Sequence, residues 1–235
     1  MYLADASEYW RRADPSAKTR ARAATPFGQD RETPPFSASD LAALEEAGVG
    51  WLSEPIHLLV PDASSRRRCK RTKLHVCSHR LPERSFVKLS RHVMVASSEL
   101  TCLSIAPSTP FPLLVEFLYE LCGRYRLPDG RGGDATELPP ATTVAGIERF
   151  ADKARGVRGA ADVKRALRYA CDNSLSPMET DIAETMVFDP RMGGFGLEKP
   201  QLNPRFEVTR KNRCALPQSA YLPDLFWPRA NISVE

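Results

Sequence analysis

The chain has 235 residues, with 33 Lys and Arg against 29 Asp and Glu and a formal charge of +4. That length suits one large domain or two small ones, and so small a net charge does not by itself demand nucleic acid, so local clustering has to carry any such argument. No run of about 18 apolar residues occurs, Met1-Tyr2-Leu3-Ala4-Asp5 lacks the regions of a signal peptide, and the six cysteines (Cys69, Cys77, Cys102, Cys122, Cys171, Cys214) contain no Cys-x-x-Cys pair, which argues against a zinc ribbon and a disulfide framework; the expectation is a cytoplasmic protein with free thiols and no membrane partner.

Residues 1–36 mix Arg, Ala, Pro and Asp without sustained periodicity, and Pro34-Pro35 closes the stretch, so it reads as a loose N-terminal tail. From Ser37 to Gly50 the pattern is helical: Ser37 or Ser39 is the N-cap, Leu41, Leu44 and Ala47 share a face, and Gly48 and Gly50 end it. The period then changes to that of strands at Ile56–Val60, Leu74–Cys77, Phe86–Leu89 and His92–Ala96. Between the first two lies the densest positive charge of the chain, with Arg66, Arg67, Arg68, Lys70 and Arg71. Ser97 or Ser98 caps a helix through Ile105, and Pro112 opens another that is apolar nearly all round until Gly123, so it should be buried.

Residues 128–141 hold three glycines and Pro139-Pro140, too little apolar surface to order themselves, and a linker is placed there. The expected organisation is thus an α/β (α+β) chain of two modules, a smaller β-rich one with helices over 37–127 and a second over 142–235. In the second, Thr142 or Thr143 caps a helix through about Lys153, and Ala160 to Cys171 is a basic helical run containing Arg165 and Arg168. Ser176-Pro177-Met178-Glu179 then has the features of a helix start, with Ser as N-cap, Pro at the first helical position and Glu completing a capping box. On that reading Glu179 is simply a cap.

Leu202 to Val208 reads as a strand, followed by the basic connector Arg210, Lys211 and Arg213. Pro228-Arg229-Ala230-Asn231 separates two further strands and reads as a hairpin turn. If its centre lies between Arg229 and Ala230, Asp224 falls directly opposite Glu235. Opposed carboxylates have β-carbons roughly 4.5–5.5 Å apart and repel one another, an arrangement that a divalent cation converts into a site. A one-residue bulge, or exposure of both acids at a strand end, is the alternative.

The order Ser176-Pro177-Met178-Glu179-Thr180, Pro223-Asp224-Leu225-Phe226-Trp227-Pro228 and Ile232-Ser233-Val234-Glu235 resembles the very-short-patch-repair-endonuclease-like (Vsr-like) branch of the PD-(D/E)XK superfamily over roughly residues 160–235. The resemblance implies a restriction-endonuclease-like mixed sheet flanked by helices. Glu179 would be its helix acid, Asp224 its central metal ligand and Glu235 its third-strand acid, with Mg²⁺ (or Mn²⁺) held by Asp224 and Glu235. In that family a further polar residue two positions on and a following helix complete the site. The sequence therefore reads as a fragment, and these 235 residues alone are expected to be inactive. Arg165, Arg168, Arg210, Lys211 and Arg213 become candidate phosphate contacts, beside the alternative of a solvated basic face.

Residues 57–123, with Val60-Pro61, the arginine run and Val95-Ala96-Ser97-Ser98-Glu99-Leu100, more loosely resemble the middle region of AbiEi-type antitoxin-like proteins. Two functions follow: a metal-dependent endonuclease of defence or repair acting on nucleic acid, chiefly DNA, or a noncatalytic DNA-binding antitoxin-like regulator with a toxin partner. His57, His75, His79 and His92 with Cys69 and Cys77 show no repeated tetrahedral spacing, so a zinc cluster is disfavoured. Trp227 and Tyr221 are read as packing the strands rather than stacking on bases.

Overall fold

A computed structural model of the chain describes residues 1–14, 37–60, 70–127, 134–208 and 219–235. Its main sheet has five strands, β1 (Tyr2–Leu3), β2 (Ile56–Val60), β3 (Thr72–Val76), β4 (Phe86–Lys88) and β5 (Met94–Ala96), in the order β3-β2-β1-β5-β4. The sheet is mixed: β1 runs antiparallel to β2 and parallel to β5, β2 runs parallel to β3, and β4 antiparallel to β5. The fold is α+β, as expected.

The first correction concerns the N-terminus. Residues 1–14 are not a loose tail: β1 is the central strand, with Leu3 opposite Leu58 on one side and Val95 on the other. The Met1 carbonyl accepts from the Met94 N–H at 2.9 Å, and the Ala4 N–H donates to the His57 carbonyl at 2.8 Å. Helix α1 (Ser7–Arg12) then buries Tyr9 and Trp10, and the indole Nε1 donates to the Ala96 carbonyl at 2.9 Å. Two strand residues and six helical ones are too few to show periodicity. Their burial depends on partners about ninety positions away.

Local signals fare better. Helix α2 (Ala38–Glu46) starts at Ser37 with a capping box completed by Asp40, and Gly48 leaves it at φ +72. Ser97 caps α3 (Ser98–Ile105) by accepting from the Leu100 N–H at 3.2 Å, and α4 (Phe111–Cys122) is buried over most of its circumference. Past the end of α4 the chain forms β6 (Tyr125–Arg126), paired with β7 (Thr136–Glu137). Arg126 is fully buried there. Its guanidinium donates to the carbonyls of Trp10, Glu120, Gly123, Tyr125 and Pro139, satisfying groups that the end of α4 leaves open.

The second correction concerns the linker at 128–141. Its described part, from residue 134, pairs through β7 and docks on α4, with the Ala141 N–H on the Leu121 carbonyl at 2.9 Å. Helices α5 (Val144–Lys153, capped by Thr143) and α6 (Ala160–Ala166) pack on α3 and α4, so the apolar core is continuous from Leu3 to Trp227. Among the described residues two separate cores are not seen, because Ile147, Val163 and Ala166 find their burial against the helices that precede the linker. Gly159 makes this contact possible: its φ is +92 and a Cβ there would lie 2.0 Å from the Leu103 carbonyl oxygen.

Helix α7 (Pro177–Val187) follows, then β8 (Gln201–Leu202), β9 (Phe206–Glu207), β10 (Ala220–Tyr221), β11 (Leu225–Trp227) and β12 (Ile232–Val234). The single strand expected over 202–208 is broken in two. Asn203 turns to φ +50 and Pro204 offers no N–H, so β8 pairs with β11 while β9 pairs with β10. Strands β12, β11 and β8 form a three-stranded sheet in that order. Among the described residues no helix is long and apolar enough to cross a membrane.

On β2, His57 places Nδ1 3.4 Å from the Asp5 carboxylate and its ring 4.9 Å from that of His75. Burial pulls its pKa below the ordinary 6.5, Asp5 opposes the shift and Lys73 adds to it. Folding therefore favours neutral imidazole, and the stability this supplies is present above pH 6.5 and lost as pH falls through the folded value. Unfolding midpoints should drop between about pH 7 and pH 5, and His57→Gln should flatten that part of the profile.

Candidate functional site

The β11–β12 ladder pairs Trp227 with Ile232, Phe226 with Ser233 and Leu225 with Val234. This is the register expected from a turn centred between Arg229 and Ala230, with no bulge along the ladder. The ladder ends there: Asp224 is a half-buried bend residue before β11 and Glu235 an exposed residue after β12, and the same register extended by one pair would oppose them. Trp227 holds the far end of β11: it is buried and donates its indole N–H to the Glu198 carbonyl at 2.8 Å, so it packs the sheet as expected. Tyr221 is half-buried, with its hydroxyl 3.5 Å from that of Ser233.

On the other side of β11, Leu225 faces Leu202 and Phe226 faces Gln201. The next position places Asn203 against Asp224, and the Asn203 N–H donates to the Asp224 carbonyl at 3.0 Å. Residues facing one another across antiparallel strands share a face. Asp224 and Asn203 thus form a polar row at the sheet end, one position past the last paired residues of β11 and β8.

Glu179 joins this row from α7. The Ser176 hydroxyl accepts from the Glu179 N–H at 3.2 Å, as an N-cap does. The Glu179 carboxylate reaches one residue further back than a capping box requires and accepts from the Leu175 N–H at 3.0 Å. It also accepts from the Ser176 hydroxyl and, at 2.6 Å, from the Asn203 side-chain amide. Cap and site neighbour are therefore the same residue. Buried hydroxyls fix the helix start, since Tyr125 meets Thr180 at 2.9 Å, Thr180 meets Ser174 at 2.9 Å, and Ser174 donates to the Ser176 carbonyl at 3.0 Å. Burial pushes the Tyr125 phenol well above its ordinary value, so it stays protonated within that chain.

Among the described residues no group of three or more His, Cys, Asp and Glu side chains is placed to hold a metal ion. Asp224 and Glu235 are the two carboxylates at this sheet end, oxygen donors of the type that a hard cation keeping most of its waters takes. Three hydrogen bonds already engage the Glu179 carboxylate, which leaves it a supporting place beside such a site rather than a ligand's.

The basic residues divide. Arg66, Arg67, Arg68, Arg210, Lys211 and Arg213 lie outside the described residues. Arg71 is bound to Glu54, whose carboxyl it holds below the usual range through their hydrogen bond, and the Lys70 side chain is exposed beside it. Arg165 lies over the Phe111 ring at 4.3 Å, and Arg168 is exposed. Sequence reading missed another group: Lys153, Arg155 and Arg158 sit exposed around the α5–α6 connection, where a Cβ on Gly156 would lie 3.3 Å from the His79 ring. Asn203 was also missed. A lone Asn-Pro step signals only a turn, and the β8–β11 pairing that gives it meaning is not a hairpin. No family model, curated protein or solved structure matches the chain.

Proposed function

We propose that the chain carries the acid row of a PD-(D/E)XK-like nuclease module, related to the Vsr-like branch, that hydrolyses phosphodiester bonds of nucleic acid, chiefly DNA, in the cytoplasm. The observation that supports this reading is the β11–β12 register, which, extended one pair past Leu225 and Val234, would set Asp224 against Glu235. Two like charges at that spacing cost stability in an antiparallel pair. A site for Mg²⁺ or Mn²⁺ gives the arrangement a purpose, because magnesium is commonly bound by one or two carboxylates together with waters and substrate phosphate oxygens. Once bound, the cation would supply an activated water and neutralise charge developing on the phosphate. The chain's own residues have simpler tasks: Asp224 and Glu235 offer oxygen ligands, and Glu179 holds the helix start against the sheet.

Asp224→Ala, in the full-length protein, should lower Mg²⁺-dependent nicking of supercoiled plasmid by roughly 10²-fold or more while leaving the fold intact. Nicking at the wild-type rate would sink the proposal.

A second reading, a noncatalytic DNA-binding antitoxin-like regulator with a toxin partner, is favoured by the exposed cations Lys153, Arg155 and Arg158 around the α5–α6 connection. It requires salt-sensitive DNA binding without turnover. Charge reversal at Arg66 to Arg68 that left binding intact would count against a role for the arginine run.

A further inference from the structure

Asn203 makes contacts that a turn residue does not need. Its backbone is held at φ +50, its N–H donates to the Asp224 carbonyl at 3.0 Å, and its side-chain amide donates both to the Asn173 carbonyl at 3.0 Å and to the Glu179 carboxylate at 2.6 Å. One residue thus touches the strand that carries Asp224, the loop before α7 and the acid of α7. The left-handed backbone is what permits this. An extended residue at 203 would continue β8 towards β9, whereas the turn separates the two strands and lets the side chain reach α7. Asn and Gly are the residues that enter this region at least cost, and of these only Asn brings an amide donor.

We infer that Asn203 is a positioning residue for the acid row: it fixes the distance between the helix acid Glu179 and the strand acid Asp224, and with it the orientation of the carboxylate pair towards a divalent cation. The inference rests on the nuclease reading and adds to it a residue that contributes no ligand. An amide N–H on the Glu179 carboxylate holds that carboxylate in place beside the site, while the same residue's main chain holds Asp224 in register. Partners of this kind, one bond removed from the ligands, commonly set metal affinity by about 10- to 100-fold.

The test uses Mn²⁺ alone, titrated into the isotopically labelled 235-residue chain and followed by paramagnetic line broadening. In the wild-type protein the resonances of Asp224 and Glu235 and the side-chain amide of Asn203 should broaden first. Asn203→Gly keeps the left-handed backbone and removes the amide. It should weaken Mn²⁺ binding about tenfold, with the amide spectrum away from α7 and β8 unchanged. Wild-type Mn²⁺ affinity in Asn203→Gly, alongside lost binding in Asp224→Ala, would overturn the positioning role and leave the nuclease reading standing. So would an Asn203 amide that stays sharp in the wild-type protein while Asp224 broadens, a measurement that needs no variant to fold. Mn²⁺ binding that Asp224→Ala does not change would overturn the nuclease reading, and the inference with it.

Discussion

Trp10→Ala is expected to cost about 3–5 kcal/mol and to shift the urea unfolding midpoint accordingly. The side chain is 2 % exposed and lies where α1 meets the main sheet and α4. It touches the Tyr9 ring edge-on at 5.1 Å and closes a hydrogen bond to the end of β5. Alanine leaves a cavity and takes from the Ala96 carbonyl its 2.9 Å donor, leaving it the Thr101 hydroxyl at 3.5 Å, which costs more than the lost transfer energy alone. Since small proteins have roughly 5–15 kcal/mol in all, the variant should be near the edge of folding. Removal of residues 1–13 should be worse, because it takes the central strand out of a five-stranded sheet. A truncated protein that kept the wild-type midpoint would show that β1 is dispensable.

Arg126→Met should be comparably severe, at about 3–5 kcal/mol. Burial pulls the Arg126 pKa down from its ordinary value while Glu120 opposes the shift, and a guanidinium remains charged in proteins at pH 7. What keeps that buried charge tolerable is the ring of carbonyls around it, drawn from α1, the end of α4 and the approach to α5. Methionine matches the volume and satisfies none of them. Arg126→Lys is the sharper test, because three ammonium donors cannot replace five fixed ones. It should recover only part of the loss in chemical denaturation, and full recovery would mean that charge alone matters.

The hydroxyl chain beneath α7 and the Asn203 contacts show how much of the candidate site depends on packing. Glu179 was legible as a helix-start residue because Ser176, Pro177 and Glu179 lie within four positions of each other and act on their own backbone. The β11–β12 register was legible for a similar reason: a tight turn fixes which residues face each other, and the turn is written in Pro228 to Asn231. The partnership of Asn203 with Glu179 and Asp224 was not legible, since nothing in Asn203-Pro204 says which strand lies alongside.

The same distinction runs through the fold. By itself the sequence determined the caps at Ser37, Ser97, Thr143 and Ser176, the burial of α4 and the hairpin register, all of them interactions closed within a few residues or along one helix face. Only the tertiary structure decided that residues 1–14 supply the central strand and its covering helix, that the glycine-rich stretch is followed by a strand paired with β6, and that one core serves the described residues. Elements of two or three residues have no period to read. Their free energy comes from partners far along the chain, and a parallel pairing such as β1 with β5 leaves no turn between its strands to announce it.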